Sequence, residues 1–349
     1  MVVADRLEVI DPTRVPEWDE RLSRHPDATV FHTSAWARVL SETFGYLPSY
    51  FTIIMEGRFV ALLPFMEIRS WLTGTRGVSL PFTDECAPIL SDDIGYEGAV
   101  LRVIGHVGDR GWKTFEFRGR IRGMGNLPAS AEYVTHDLDL SPGEEDLFSR
   151  FRPNVQRNIR KAEREGISVA NDPTPDGVRE FYRLNCLTRR EHGLPPQPLR
   201  FFENLRAHVL EKGLGTLLLA RHGGKAVAGA MFLHFAGKAV YKYGASDRAH
   251  QELRPNNLVF REGIRDLCRN GVRTLSFGRT DLHHEGLRQF KLSWGAAEKT
   301  LQYVKYDVPS RSYLSAKKYR ENILWESAMS KLPVPVLRLI GRIAYRHVG

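Results

Sequence analysis

The amino-acid sequence predicts an α/β (α+β) fold in which one structural unit occurs twice. Two pairs of segments carry that reading. SYFTIIMEGRFVALLPFMEI in the first half and GTLLLARHGGKAVAGAMFLHF in the second are apolar runs around a glycine-containing turn, Glu56-Gly57 and Gly223-Gly224. Strand-forming residues on both sides of such a turn read as a β-hairpin. Further on, RGWKTFEF (Arg110 to Phe117) aligns with NGVRTLSF (Asn270 to Phe277): Gly111 matches Gly271, Lys113 matches Arg273, Thr114 matches Thr274 and Phe117 matches Phe277. Each follows a helical stretch, YEGAVLRVIGHVGD or NLVFREGIRDLCR, with Gly ending the helix and a strand beginning. Hairpin, helix and strand in the same order twice point to duplication. The expected division is residues 1–140, residues 141–310, and a basic helical tail over 311–349.

Composition sets the outer limits. A chain of 349 residues, 42% hydrophobic and 26% charged, is long enough for two domains and for a full core. Its net charge of +9 favours polyanionic partners: nucleic acid, phosphates or an anionic membrane surface. No basic motif is interleaved with aromatics, so nucleic-acid binding rests on charge alone. Cys86, Cys186 and Cys268 form no CxxC pair, which argues against a disulfide framework or a zinc knuckle and suits a reducing compartment. The N-terminal stretch is acidic and lacks the apolar centre of a secretory leader, and FVALLPFMEI is interrupted by Pro64 and Glu67. A cytoplasmic protein is expected.

Between the two units, SPGEE reads as a helix start with Ser141 as N-cap, and Pro153 splits the following segment into two helices or kinks one. On NVQRNIRKAEREG, Arg157, Arg160, Lys161 and Arg164 recur at spacings of three and four. That face suits phosphate binding, or a solvated helix paired with Glu163 and Glu165. In RREHGLPPQPLRFFENL three prolines stiffen a connector, and His192 before Gly193 reads as a helix-end contact or a base. The tail segment VLRLIGRIAYRHVG places Arg338, Arg342 and Arg346 four apart, with Leu339, Ile340 and Ile343 off that face. It reads either as an anchor on the inner face of a membrane or as a helix packed on the first domain.

The densest chemistry lies in YKYGASD, RPNNLVF and LSFGRTDLHHEGLRQFKLSWGA (Tyr241 to Ala296). On EGLRQFKLSWG, Phe290 and Trp294 project together and Lys291 sits beside them. A lysine among rings is costly to desolvate unless it meets an anion, which makes Lys291 the leading functional candidate. Arg279 and Arg288 suit phosphates or carboxylates. DLHHE lacks the spacing of a helical zinc motif, and no metal or cofactor is expected. Neither a GxSxG elbow nor a GxxxxGK[ST] loop occurs. Where a CoA-dependent N-acetyltransferase carries a Gly-rich turn, this chain has LRPNN, which weakens but does not remove an acyl-CoA reading.

These segments, with RNIRKAEREG, resemble the FemAB-like group: peptidoglycan-bridge aminoacyltransferases and relatives. The resemblance is strong over 140–310 and weaker before it. It implies two tandem GNAT-like domains, each a mixed, mostly antiparallel sheet flanked by helices. It implies transfer of an aminoacyl group from tRNA to an amine of a cell-envelope, peptidoglycan or exopolysaccharide precursor, with Phe290 and Lys291 matching the family's functional Phe-Lys pair. Such an ester is already activated, so no protein nucleophile is needed and Lys291 would stabilise the oxyanion. Tyr243, Ser246, Asn256 and Trp294, with Arg157 and Arg160, are the remaining candidates for substrate contact. Implied partners are an anionic or lipid-linked sugar precursor, charged tRNA and the inner membrane surface. The chain lacks the long helical hairpin that some bridge enzymes use as a tRNA arm, which brings it nearer to relatives encoded with envelope-export systems. An acyl-CoA-dependent N-acyltransferase and a non-catalytic module binding glycan or lipid phosphate are the alternatives.

Overall fold

A computed structural model describes residues 7–91, 95–119, 127–315 and 323–348. The chain divides into two compact units, Met1–Tyr133 with Thr300–Tyr319 and Tyr345–Gly349, and Val134–Lys299 with Arg320–Ala344. This is not the simple succession expected from the sequence.

In the first unit β1 (Glu8–Ile10) precedes helices α1 (Trp18–Ser23) and α2 (Ser34–Phe44). Helix α2 starts where the Thr33 hydroxyl accepts from the Trp36 amide and ends at Gly45 in the left-handed region, φ 75°. The short β2 (Leu47–Pro48) is followed by β3 (Tyr50–Met55), β4 (Arg58–Leu63), β5 (Met66–Ser70), β6 (Gly74–Ser79) and β7 (Ile89–Leu90). Helix α3 (Tyr96–Val107) then leads into β8 (Thr114–Arg118), which pairs in parallel with β6. Strands β3 and β4 form the hairpin expected around Glu56-Gly57. The core of this unit gathers Phe51, Phe65, Trp112, Phe115 and Phe117 against Val100, Val103 and Val107 of α3.

The chain enters the second unit along β9 (Ala131–Asp139) and continues through α4 (Glu144–Arg150), α5 (Pro153–Arg164), β10 (Ser168–Asn171), α6 (Pro175–Glu191) and α7 (Leu199–Leu205). Hairpin β11 (Gly215–His222) and β12 (Lys225–Phe235) precedes β13 (Lys238–Ser246), α8 (Pro255–Arg269), β14 (Thr274–Asp281) and α9 (Glu285–Ser293). Its strands run in the order β10-β11-β12-β13-β14-β9, with β10 to β13 antiparallel and β13 and β14 parallel. Hairpin, helix and parallel strand thus recur in both units. Gly111 and Gly271, equated by the sequence, take φ 67° and 70° after their helices, a conformation that side chains with a Cβ resist. Helix α8 seats closely on the sheet: a Cβ on Gly263 would lie 2.3 Å from the Phe232 ring.

Strand β15 (Ala297–Asp307) carries the chain back to the first unit, where its second half pairs antiparallel with β8 from Tyr303↔Arg118 to Asp307↔Thr114. This pairing is why residues 300–319 group with the first unit. Strand β16 (Ser312–Leu314) pairs with β15, and helices α10 (Ile323–Ser330) and α11 (Val334–Ala344) close the chain.

One expectation holds and two change at this level. Ser141 does not cap α4, whose N-cap is Gly143; its amide instead donates to Asp139 Oδ1 at 3.0 Å. Pro153 does split the segment, as the first residue of α5. The last helix, expected on the first domain or on a membrane, packs within the second unit: Leu337 and Gly341 are buried, and a Cβ on Gly341 would meet the Pro196 carbonyl at 2.0 Å. Positions 337 and 341 therefore face protein, whereas Val336, Leu339 and Ile343 are exposed beside Arg338 and Arg342. No helix among the described residues is long and apolar enough to cross a membrane.

Candidate functional site

Parallel pairing of β13 with β14 lasts only from Lys238↔Thr274 to Val240↔Ser276. Beyond it a cavity of about 690 Å³ opens, lined by Tyr241, Gly244, Ala245 and Ser246 of β13 and Phe277 of β14. Two strands that part while a helix follows each leave backbone and helix ends facing one space. Helix α5 supplies Asn154, Val155 and Asn158, helix α8 supplies Pro255, Asn256, Asn257 and Phe260, and helix α9 supplies Gly286, Leu287, Gln289, Phe290, Lys291 and Ser293.

Lys291 lies in this wall and is only 4% exposed. Its ammonium donates to the carbonyls of Gly278 (2.8 Å) and Arg279 (3.3 Å), both on β14 beyond its pairing with β13. Those two bonds offset the desolvation that would otherwise expel a cation from such a place. Phe290 packs on Phe260 at 5.6 Å and on Trp294 at 6.1 Å between ring centroids. Tyr241 lies on Phe260 at 4.3 Å. Burial pushes the Tyr241 phenol well above its ordinary range, so it stays a neutral donor.

Two helix N-termini face the cavity, and each opens with the same tripeptide. Arg152-Pro153-Asn154 starts α5 and Arg254-Pro255-Asn256 starts α8, with proline in the first turn of both. Proline fits there because its missing N–H has no intrahelical partner to lose. Arg254 takes the left-handed conformation, φ 60°, at the position where a glycine would be unstrained. Arg152 and Arg254 both line the cavity. Amide groups at helix starts, the helix dipoles and two guanidinium groups together suit an anionic ligand.

The structure sorts the sequence candidates. Ser246 and Asn256 line the cavity and are joined by a 3.2 Å hydrogen bond from Asn256 Nδ2 to Ser246 Oγ. His192 is the C-cap of α6 and also faces the cavity. Arg288 does not reach it: the guanidinium makes a bidentate pair with Glu298 at 2.8 and 2.7 Å. That carboxylate lies 3.0 Å from Nε2 of the buried His136. Burial, then the nearby charge of Lys291, holds the His136 imidazole below its ordinary pKa. Arg279 is exposed and outside the cavity lining although it stands two residues after Phe277: Gly278, at φ 70°, breaks the alternation of β14, so that Phe277 and Thr280 are buried and Arg279 is not. Tyr241 and Tyr243 would share a face in a regular strand, but the pairing with β12 slips between Phe232↔Tyr241 and Met231↔Tyr243, a bulge at Lys242; Tyr243 packs against Phe201 and Phe202 while Tyr241 packs on Phe260. Arg157 and Arg160 are exposed on α5, whose cavity face is Asn154 and Asn158; Arg160 stacks over the Phe148 ring at 5.9 Å. Trp294 is fully buried against Phe151 and Phe260 and belongs to the core.

Residues 149–291, which take in α5 through Lys291, match a family model described as an acetyltransferase (GNAT) domain. The lipid II:glycine glycyltransferase of Staphylococcus haemolyticus (strain JCSC1435) is 34% identical over 87 residues, 23% of this chain and 21% of that one. The chain thus spans about a fifth of the length of the curated relative it matches. Among solved structures, FemX superposes with a TM-score of 0.65 at 14% identity, covering 81% of this chain and 94% of its own. The matched segment is thus similar to GNAT domains and to part of a lipid II:glycine glycyltransferase, and the fold is that of FemX. A tandem GNAT protein from the clavulanic acid biosynthesis pathway (TM-score 0.54, 11% identity, 87% of this chain and 99% of that one) shares the architecture. So does L-PGS from Bacillus licheniformis (0.53, 14%, 98% and 99%). At these identities the structures speak for the fold. The cavity side chains missed by sequence reading include Arg152, Asn154, Asn158, Tyr241, Arg254 and Asn257. The repeated Arg-Pro-Asn tripeptide was the signal that could have found three of those positions, Arg152, Asn154 and Arg254.

Proposed function

We propose that the protein is an acyltransferase that moves an aminoacyl group from tRNA to an amine of a lipid-linked or other cell-envelope precursor. The observation that carries this reading is Lys291: a buried cation, fixed by two backbone carbonyls, in the wall of a cavity between parting parallel strands. The similarity to a glycyltransferase acting on lipid II supports the substrate class. The acceptor amine attacks the ester carbonyl carbon, and a C–N bond forms as the carbonyl oxygen becomes an oxyanion. The field of Lys291, undiluted by water, stabilises that charge. Collapse breaks the C–O bond; the proton shed by the attacking nitrogen passes to the departing 3′-hydroxyl. Arg152, Arg254 and the starts of α5 and α8 hold donor phosphate, while Tyr241 and the cavity asparagines hydrogen-bond neutral groups.

The acetyltransferase description of the matching domain favours a second reading, with acyl-CoA as donor and a C–S bond broken in place of C–O. Either way no bound cofactor is required, because the acyl donor is a substrate. Acceptors carried on lipid place the enzyme at the inner membrane face, and the exposed Val336, Leu339 and Ile343 with Arg342 fit peripheral attachment there. The deciding experiment supplies purified protein with lipid-linked and nucleotide-linked envelope precursors and either charged tRNA or acyl-CoAs, and follows acceptor mass. An acceptor heavier by one aminoacyl residue with charged tRNA supports the first reading; an acyl adduct with CoA alone replaces it; binding without transfer from either donor overturns both in favour of a binding module.

A further inference from the structure

The hairpin joining β5 to β6 ends in Trp71 and Leu72, which are 87% and 65% exposed. Trp71 is the most exposed of the large apolar side chains described, and single exposed apolar residues are ordinary whereas an adjacent Trp-Leu pair at a fixed turn is not. The turn is held in place by the end of the chain. Ser70 Oγ accepts from the amides of Leu72 (3.2 Å) and Thr73 (3.0 Å) and lies 3.0 Å from His347 Nδ1. The His347 carbonyl accepts from Arg76 at 2.6 Å, and the His347 ring stands edge-on to Trp71 at 5.8 Å. Val348, 58% exposed, follows directly.

Cations surround this tip. Arg69 keeps 70% of its side chain exposed while its Nε donates to Glu67. The stem of Lys113 lies over Gly74, where a Cβ would meet Lys113 Cδ at 2.9 Å, and Lys113 is exposed. Arg346 is exposed one residue before His347. Glu67, the only acid from Met66 to Ser79, is 1% exposed and engaged by Arg69, Arg110 and the Trp112 indole, so it offers little negative field to the surface.

We propose that this hairpin tip is a docking point for an anionic phospholipid bilayer. Trp71 and Leu72 enter the headgroup region, where an indole buries its ring and keeps its N–H wet. Arg69, Lys113 and Arg346 lie against lipid phosphates. Two apolar side chains and a few cations give reversible binding, not insertion. The surface lies wholly within the first unit, and the inference stands without the transferase reading.

The test is sedimentation of the full chain with phosphatidylcholine vesicles, with and without phosphatidylglycerol. The parent should partition onto the vesicles containing phosphatidylglycerol, less so as salt rises. The double variant W71S/L72S, which alters only exposed positions and should keep the parental melting temperature, should bind about tenfold more weakly or less. Brominated lipid should quench the parent more than Trp71→Phe. Equal binding of parent and double variant, no binding by the parent, or a tip that instead mediates self-association seen by size exclusion would each overturn the proposal.

Discussion

Replacing Lys291 with methionine keeps the packing of the side-chain stem and removes only the ammonium. In the folded state the change deletes hydrogen bonds to Gly278 O and Arg279 O and relieves the desolvation of a charge that is 4% exposed. A charged hydrogen bond contributes roughly 1.5–3 kcal/mol, and the penalty for burying the cation is of similar size and opposite sign. Stability should therefore shift by no more than about 2 kcal/mol. Turnover should respond very differently. If Lys291 stabilises the oxyanion, its loss should raise the barrier by about 3–4 kcal/mol and lower kcat about 10²–10³-fold, with KM nearly unchanged. The assay is steady-state transfer with whichever donor supports turnover, beside a urea melt of the same preparation. A folded Lys291→Met protein with kcat within about tenfold of the parent would refute the electrostatic role. A rise in KM at constant kcat would assign Lys291 to substrate binding instead.

Other expectations follow from the same unit. Arg288→Ala removes a cation beside His136 and releases Glu298 from its bidentate pair, so the His136 pKa should rise; an NMR titration showing it unchanged or lower contradicts the network. Because the folded-state pKa of His136 lies below its unfolded value near 6.5, the unfolded chain takes up the proton first. The contribution of His136 is therefore present above that pH and declines as pH falls below it. His136→Gln should flatten this part of the stability profile in denaturant melts at stepped pH, and an identical slope would count against it. In Gly244→Ala the added Cβ would lie 1.5 Å from the Tyr241 hydroxyl, which must move into the cavity. A loss of about 1–3 kcal/mol in stability with weaker substrate binding is expected, and parental values for both would show that the site yields more easily than its geometry implies.

Much of the fold was legible because its signals are local. The Glu56-Gly57 and Gly223-Gly224 turns, and the glycines at 111 and 271 after their helices, each require a backbone conformation that few residues adopt, so they mark element ends without reference to the rest of the chain. The site was less legible. Lys291, Phe290, Ser246 and Asn256 were found through residue type and resemblance, and all four line the cavity. Arg279, Arg288, Tyr243, Arg157, Arg160 and Trp294 have suitable chemistry but point elsewhere, and breaks in strand alternation at Gly278 and at the β12–β13 bulge, helix phase and a bidentate pair to Glu298 decide that.

By itself the sequence determined that one hairpin–helix–strand unit occurs twice, that Pro153 interrupts the helical segment after Ser141, and that a cation sits among rings near position 291. These depend on contacts within a few residues, where propensity and spacing act. Only the tertiary structure decided where β13 and β14 part, that two Arg-Pro-Asn helix starts a hundred residues apart in sequence face one cavity, and that β15 returns the chain to its first unit. Those outcomes come from packing between distant segments, and a single sequence read along its length contains no term for the distance between them.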